Sequence, residues 1–159
     1  MNISVVCVGK LKEKYWTDAV SEYVKRLGRY CVINIAELKE YKISDKPSEA
    51  EEEKVKIEEG KAILKQIKED AYVITLEIKG KQLSSEELAE KVETLTVEGK
   101  SNIVFVIGGS LGLSPEVSQR ANYKLSFSKM TFPHQMMRVV LLEQIYRSFK
   151  IIKNETYHK

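Results

Sequence analysis

The feature that most constrains the fold is an apolar run that breaks into glycines in the last third of the chain. Residues Asn102 to Leu113 read NIVFVIGGSLGL, so Ile103 to Ile107 have the character of a strand without polar alternation. A strand that is apolar on both faces is typical of a parallel sheet covered by helices. Gly108, Gly109 and Gly112 then permit positive φ or close backbone approach, which indicates a loop built around something bulky.

The rest of the chain alternates strand and helix patterns, with helix-capping signals at most joints. Ser48 with Glu51 and Ser84 with Glu87 form capping boxes. Gly28 follows the first helix where a left-handed cap belongs. The predicted strands are 3–8, 31–36, 71–76, 103–107 and 123–127, and the main helices are 13–27, 49–68, one after residue 84, a short one after Ser114, and 134–151. We therefore expect an α/β fold, with one domain over residues 1–159 and a mostly parallel sheet with helices on both faces.

Two unusual loops follow strands in the second half of the chain. The glycine loop follows Ile107, and the segment Ser128 to His134 follows the run Tyr123 to Phe127. The carboxyl ends of parallel strands meet at one edge of a sheet, where ligands of open α/β folds bind. The two loops are therefore predicted to form the walls of one pocket. The loop Gly9 to Lys12 is a weaker candidate for a ligand loop, because a single glycine at a strand-to-helix turn is ordinary.

Two motifs carry a family resemblance. The pairing of VIGGSLGLSPEV with LSFSKMTFPHQMMRVVLLEQIYR, and the ending TYHK, resemble the SPOUT methyltransferases, and within them the RlmH family, which methylates N3 of a pseudouridine in large-subunit (23S) ribosomal RNA. The similarity covers the whole chain and is densest after Ile103. It implies an α/β trefoil knot at the C-terminal end, which the sequence pattern alone does not predict because threaded chains are rare.

The resemblance implies S-adenosylmethionine as the cofactor. By resemblance, the cofactor-binding positions are Leu76, Gly108 and the run Phe127, Ser128, Lys129, Met130, Thr131 and Phe132. From spacing alone, plain core packing is the better explanation of Phe127, Met130 and Phe132, and a tight turn explains the glycines.

The charge distribution favours a polyanionic partner. Residues 1–99 carry 17 Lys and Arg against 20 Asp and Glu, whereas residues 100–159 carry 9 against 3. A positive field beside a pocket favours RNA, and large-subunit ribosomal RNA or the ribosome is the partner that the resemblance implies. The alternative is that these residues only solvate one face.

Several classes of protein are disfavoured. Cys7 and Cys31 lie in apolar runs without ligand spacing, and the histidines are far apart, so we expect reduced buried thiols and no metal site. No apolar run approaches the roughly 20 residues of a membrane helix, and the chain starts with a strand pattern. We therefore expect a cytoplasmic protein that does not enter a membrane.

The predicted helix from His134 to Ile151 carries apolar residues around most of its circumference. A chain of this length has difficulty covering such a helix, so we expect a homodimer with this helix at its interface. Leu142 and Tyr146 are candidate residues facing the partner.

The candidates for chemistry at the accepting nitrogen are Arg138, Tyr157 and His158. Groups that favour the N3 anion of a uracil-type base would assist methyl transfer, and the polar tail could reach the partner's pocket across a dimer. Arg138 and Lys129 are candidates for phosphate contacts. A frayed terminus is the alternative for the tail. Two other functions stay open, namely methylation of transfer RNA by a SPOUT enzyme and a non-catalytic RNA-binding or ribosome-binding module.

Overall fold

A computed structural model describes all residues from Met1 to Lys159 and shows five parallel strands in one sheet. The spatial order of the strands is β2-β1-β4-β3-β5. The strands are β1 (Asn2–Val8), β2 (Val32–Leu38), β3 (Tyr72–Gln82), β4 (Asn102–Ile107) and β5 (Tyr123–Ser126), and the helices are α1 (Lys14–Leu27), α2 (Glu49–Lys65), α3 (Ser85–Val97), α4 (Pro115–Arg120) and α5 (His134–Ile152). The predicted α/β class and parallel sheet are confirmed.

Helices cover both faces of the sheet, as predicted. The central strand β4 shows how: Ile103, Phe105 and Ile107 face a core formed with α1, α3 and α5, whereas Val104 and Val106 face a second core formed with α2 and α4. All five of these side chains are buried. The absence of polar alternation in this strand therefore reflects two apolar layers.

The predicted helix starts are confirmed, and the left-handed cap predicted at Gly28 is wrong. The side chains of Ser48 and Ser84 form full capping boxes, and Ser114 caps α4 before Pro115. Gly28, however, has φ −56° and is not a left-handed cap. At Gly60 a Cβ would lie 2.3 Å from Ser114 Oγ, so this glycine lets α2 pack closely on the start of α4.

Strand β3 is longer than predicted because its pairing with β5 is interrupted after Leu76 and resumes at Lys81. Leu76 pairs with Leu125 of β5, and Lys81 pairs with the same residue after an excursion. The return depends on Gly80, where a Cβ would lie 2.7 Å from the carbonyl oxygen of Lys124. The excursion projects residues 77–79 beyond the edge of the sheet.

Helix α5 lies between α1 and α3 and buries one face in its own chain. Leu141, Leu142 and Ile145 are fully buried there, together with Phe149. The choice of Leu142 as a residue facing a partner is therefore wrong, because its side chain belongs to the core of the monomer. Tyr146 is only half-buried, and no α5 residue is fully exposed. No helix of the structure is long and apolar enough to cross a membrane.

Candidate active site

A cavity of about 620 Å³ opens at the carboxyl edge of the sheet, where β3, β4 and β5 end side by side. This size is typical of a small-molecule site. The lining consists of residues 76–79, 107–113, 125, 127, 128 and 130–132, with His134 and Met137 from the start of α5. The two unusual loops therefore do form the walls of one pocket.

The structure brings together seven of the eight residues predicted to hold a cofactor. Leu76, Gly108, Phe127, Ser128, Met130, Thr131 and Phe132 all line the cavity, whereas Lys129 is exposed and does not. Met130 is 75% exposed at the mouth, and Phe127 is half-buried against the main core. Simple core packing does not account for Met130.

The glycine loop owes its shape to contacts within the protein. A Cβ on Gly108 would lie 2.9 Å from Leu113 Cδ2 and 3.1 Å from the carbonyl carbon of Gly112. Gly112 has φ +83°, and its N–H donates to the carbonyl of Gly109 at 3.0 Å. The loop thus folds over its own first glycine, which exposes backbone groups to the cavity.

A buried carboxyl group supports this loop from behind. Glu59 of α2 is 4% exposed, and its Oε2 lies 2.8 Å from the place a Cβ on Gly109 would take. Its Oε1 accepts a hydrogen bond from the Tyr41 N–H at 3.3 Å. Burial raises the pKa of Glu59, and the nearby Glu40 adds to the effect.

Sequence reasoning placed Leu76 at the third wall of the cavity but missed the three residues that follow it. Glu77, Ile78 and Lys79 line it, and the carboxylate of Glu77 accepts hydrogen bonds from the hydroxyls of Thr75 (2.7 Å) and Ser118 (3.1 Å). The signal was the abrupt change from the apolar run ending at Leu76 to a charged segment with a glycine. His134, at the start of α5, also lines the cavity.

The C-terminal tail does not reach the cavity of its own chain, but it is not frayed. The Tyr157 hydroxyl donates to Glu143 at 3.0 Å, and its ring packs edge-on against Tyr146. Burial and the Glu143 carboxylate raise the pKa of Tyr157 to about 12, so its hydroxyl stays protonated at neutral pH.

His158 has both ring nitrogens engaged. Its Nδ1 lies 3.2 Å from a guanidinium nitrogen of Arg147, and its Nε2 lies 2.7 Å from Glu86 Oε1. A guanidinium can only donate, so Nδ1 accepts and Nε2 donates. The pKa of Glu86 is lowered to about 2, first by its own backbone N–H and then by His158. A role at a substrate base requires His158 to exchange one of these partners.

Arg138 lies in the interior, away from the cavity and from solvent. It is 1% exposed, and its guanidinium donates to Glu37 at 2.7 Å and to the carbonyls of Val8 (3.1 Å) and Gly9 (2.6 Å). A guanidinium in this position cannot also bind a phosphate on the surface. The structure thus argues against the phosphate contact expected for Arg138 and favours a role in positioning the end of β1.

No group of His, Cys, Asp or Glu residues in the structure is arranged to hold a metal ion. Both cysteines are buried and unpaired, and burial raises the pKa of each thiol to about 11. Neither thiol is therefore activated as a nucleophile.

Comparison with known proteins shows which family this chain resembles. Residues 1–158 match a family described as "Predicted SPOUT methyltransferase". The chain is 62% identical to "Ribosomal RNA large subunit methyltransferase H" of Clostridium novyi and 59% identical to the proteins of the same name from Clostridium beijerinckii and Alkaliphilus oremlandii, in each case over 159 residues and 100% of both chains. The chain therefore belongs to the SPOUT methyltransferases, and within them to the family of ribosomal RNA large subunit methyltransferase H.

Proposed function

We propose that this protein is an S-adenosylmethionine-dependent methyltransferase that modifies N3 of a pseudouridine in 23S ribosomal RNA, on assembled ribosomes in the cytoplasm. The observation that carries the proposal is the cavity at the carboxyl edge, lined by seven of the positions at which the family is expected to hold its cofactor. Its relatives' shared name supports large-subunit ribosomal RNA as the substrate.

The cavity residues fit the cofactor's chemistry. Apolar side chains such as Leu76, Ile107 and Leu125 suit the adenine ring, and the backbone of the glycine loop offers hydrogen-bonding groups to its polar edges. When bound, S-adenosylmethionine supplies an electrophilic methyl group. Only Glu77 and Lys79 carry charge among the lining residues, so backbone groups and shape, more than charged side chains, would hold the ligand.

The residues of this chain contribute to the reaction by positioning the two reactants and by assisting the loss of the N3 proton. Positioning of two reactants can supply a large part of the acceleration of a transfer reaction. The accepting N3 must lose its proton, and a hydrogen-bond donor near the base would favour its anion. Tyr157 could donate such a hydrogen bond once its hydroxyl leaves Glu143, and Nδ1 of His158 could accept the proton once it leaves Arg147.

We propose that these tail residues act in the pocket of a second copy, in a homodimer formed along α5. Tyr157 and His158 lie on α5 and α3 of their own chain and contribute nothing to its own cavity. Several apolar side chains of α5, including Met136, Val139 and Tyr146, are only half-buried in the single chain, so a partner could cover them further. A partner placed there would receive the tail, and family membership implies the trefoil knot beside it.

The test is methyl transfer from labelled S-adenosylmethionine to 70S ribosomes, free 23S ribosomal RNA and transfer RNA, followed by mapping of the modified nucleotide. We expect label on a pseudouridine N3 in ribosomes. Label only on transfer RNA would support a different SPOUT activity, and ribosome binding without transfer would support the non-catalytic module. Either result would overturn the proposal.

A further inference from the structure

The carboxyl edge of the sheet carries a set of exposed lysines, of which only Lys79 lines the cavity. Four segments at this edge (residues 9–13, 39–48, 77–84 and 127–133) contain eight lysines and four acidic residues. All eight lysines are exposed, and none forms an ion pair. The connections at the opposite edge (28–31, 66–71, 98–101 and 121–122) contain three basic and three acidic residues. The positive excess is therefore local to the edge that holds the cavity.

One of these segments, Gly9–Glu13, which we call the lysine loop, has a fixed backbone. The N–H of Leu11 donates to Glu37 Oε2 and that of Lys12 donates to Gln135 Oε1, both at 2.9 Å. Leu11 packs against the main core. The side chains of Lys10 and Lys12, on either side of Leu11 in the sequence, are exposed to solvent. Because the backbone of the loop is already fixed, binding a ligand costs it little conformational entropy.

The first turn of α5 joins the lysine loop to the cavity. His134 and Met137 line the cavity, whereas Gln135 and Arg138, on the other side of the same turn, hold the lysine loop and the end of β1. A helix is about 10 Å across, so the loop and the mouth of the cavity are separated by little more than one helix.

An exposed aromatic ring follows the lysine loop closely in the chain. Tyr15, in the first turn of α1, is 63% exposed, and its ring is held edge-on against Trp16 with centroids 5.0 Å apart. Exposed aromatic rings beside lysines are the usual means of binding single-stranded nucleic acid, where bases stack and phosphates pair with cations.

We infer that the lysine loop and Tyr15 form an RNA-binding surface that holds the strand flanking the target base. Lys10 and Lys12 contact phosphates, and Tyr15 stacks on an unpaired base, while Arg138 and Gln135 position the loop beside the cavity. This inference rests on the proposed function for the identity of the RNA. It moves the expected phosphate contact from Arg138 to residues near the start of the chain.

The test compares three variants with wild type: Lys10→Ala/Lys12→Ala, Tyr15→Ala, and the charge-matched control Lys68→Ala/Lys100→Ala at the opposite edge. Binding to transcribed 23S ribosomal RNA is measured across a range of KCl concentrations. Losing two phosphate contacts should reduce the slope of log affinity against log salt by about 1.4 and weaken binding by on the order of tenfold at 0.15 M salt. Tyr15→Ala should weaken binding by about fivefold or more with an unchanged slope, and Tyr15→Phe should restore it.

Kinetics separate this inference from the proposed function. With ribosomes as substrate, Lys10→Ala/Lys12→Ala should raise KM and leave kcat and the calorimetric affinity for S-adenosylmethionine nearly unchanged. Unchanged KM and salt slope in an enzyme that still methylates ribosomes would overturn the inference and leave the proposed function intact. Normal binding to naked RNA with lost binding to ribosomes would also overturn it, because the surface would then contact a ribosomal protein. If wild type methylates no RNA, the proposed function fails, and the salt slope of binding still decides whether the surface binds RNA.

Discussion

Replacing Arg138 by alanine should destabilise the protein strongly, because its guanidinium joins three parts of the chain. It bonds to the Glu37 side chain of β2 and to the carbonyls of Val8 and Gly9 at the end of β1, and all three bonds are lost together. Breaking a buried ion pair costs about 3–5 kcal/mol, and each carbonyl left without a donor costs about 1–3 kcal/mol. Glu37 is 35% exposed and keeps part of its hydration, which lowers its share. The two carbonyls together then account for about 2–6 kcal/mol and the ion pair for only part of its range, so we expect a loss of at least about 3 kcal/mol in the free energy of unfolding.

Urea denaturation followed by circular dichroism measures this loss, at one fixed protein concentration because a dimer would couple stability to concentration. Lys14→Ala is the control, since it removes an exposed ion pair with Asp18 and should leave the midpoint nearly unchanged. A cycle with Glu37→Gln separates the ion pair from the two carbonyl bonds. A loss below about 1 kcal/mol in Arg138→Ala would refute the reasoning, because it would mean that water replaces the guanidinium at little cost.

Four further predictions test the cavity, the interface, the tail and the buried carboxyl. Gly108→Val should lower both calorimetric affinity for S-adenosylmethionine and the melting temperature, because its side chain would collide with the glycine loop itself; unchanged affinity would remove the loop from the site. Tyr146→Glu should give a monomer by light scattering, and a monomeric wild type would contradict the proposed interface. Deleting Tyr157 to Lys159, or His158→Ala, should lower methyl transfer to ribosomes at least about tenfold with dimerisation and cofactor affinity nearly intact, whereas wild-type turnover would exclude a catalytic tail. Glu59→Gln should raise the melting temperature at pH 7 to 8. Because the pKa of Glu59 is raised in the folded state, the stability of the wild type falls as the pH rises through that pKa, whereas glutamine does not ionise. A variant whose melting temperature follows the same pH profile as the wild type would argue against this explanation.

Much of the site could be predicted from the sequence because its signals are local. The apolar run before Gly108 specifies a strand buried on both faces, and a strand followed by an irregular loop specifies a wall at the carboxyl edge. Capping boxes at Ser48 and Ser84 likewise depend on residues three positions apart. Such signals involve the backbone of one segment and can be recognised without knowing which segments pack against it.

The errors came from residues whose role depends on distant segments. Arg138 is a charged residue on a helix in a basic part of the chain, and only the fold shows that the ends of β1 and β2 surround it. Leu142 belongs to an apolar helix whose sides look alike in sequence, and only packing between α1 and α3 decides which side is interior. Gly60 and Gly80 each mark a close contact with a segment more than forty residues away in sequence, which no local pattern indicates.

The family resemblance named seven of the residues that line the cavity. The sequence pattern by itself determined the α/β class, the strands and helices, and the edge at which the cavity forms. Those properties follow from local periodicity and from the rule that parallel strands end at a common edge. The tertiary structure alone decided which cations are buried, which are paired and which are left in solvent beside the cavity. Burial and pairing depend on distances between segments far apart in the chain, and the same lysine or arginine reads identically in sequence whether it anchors a strand or faces an RNA phosphate.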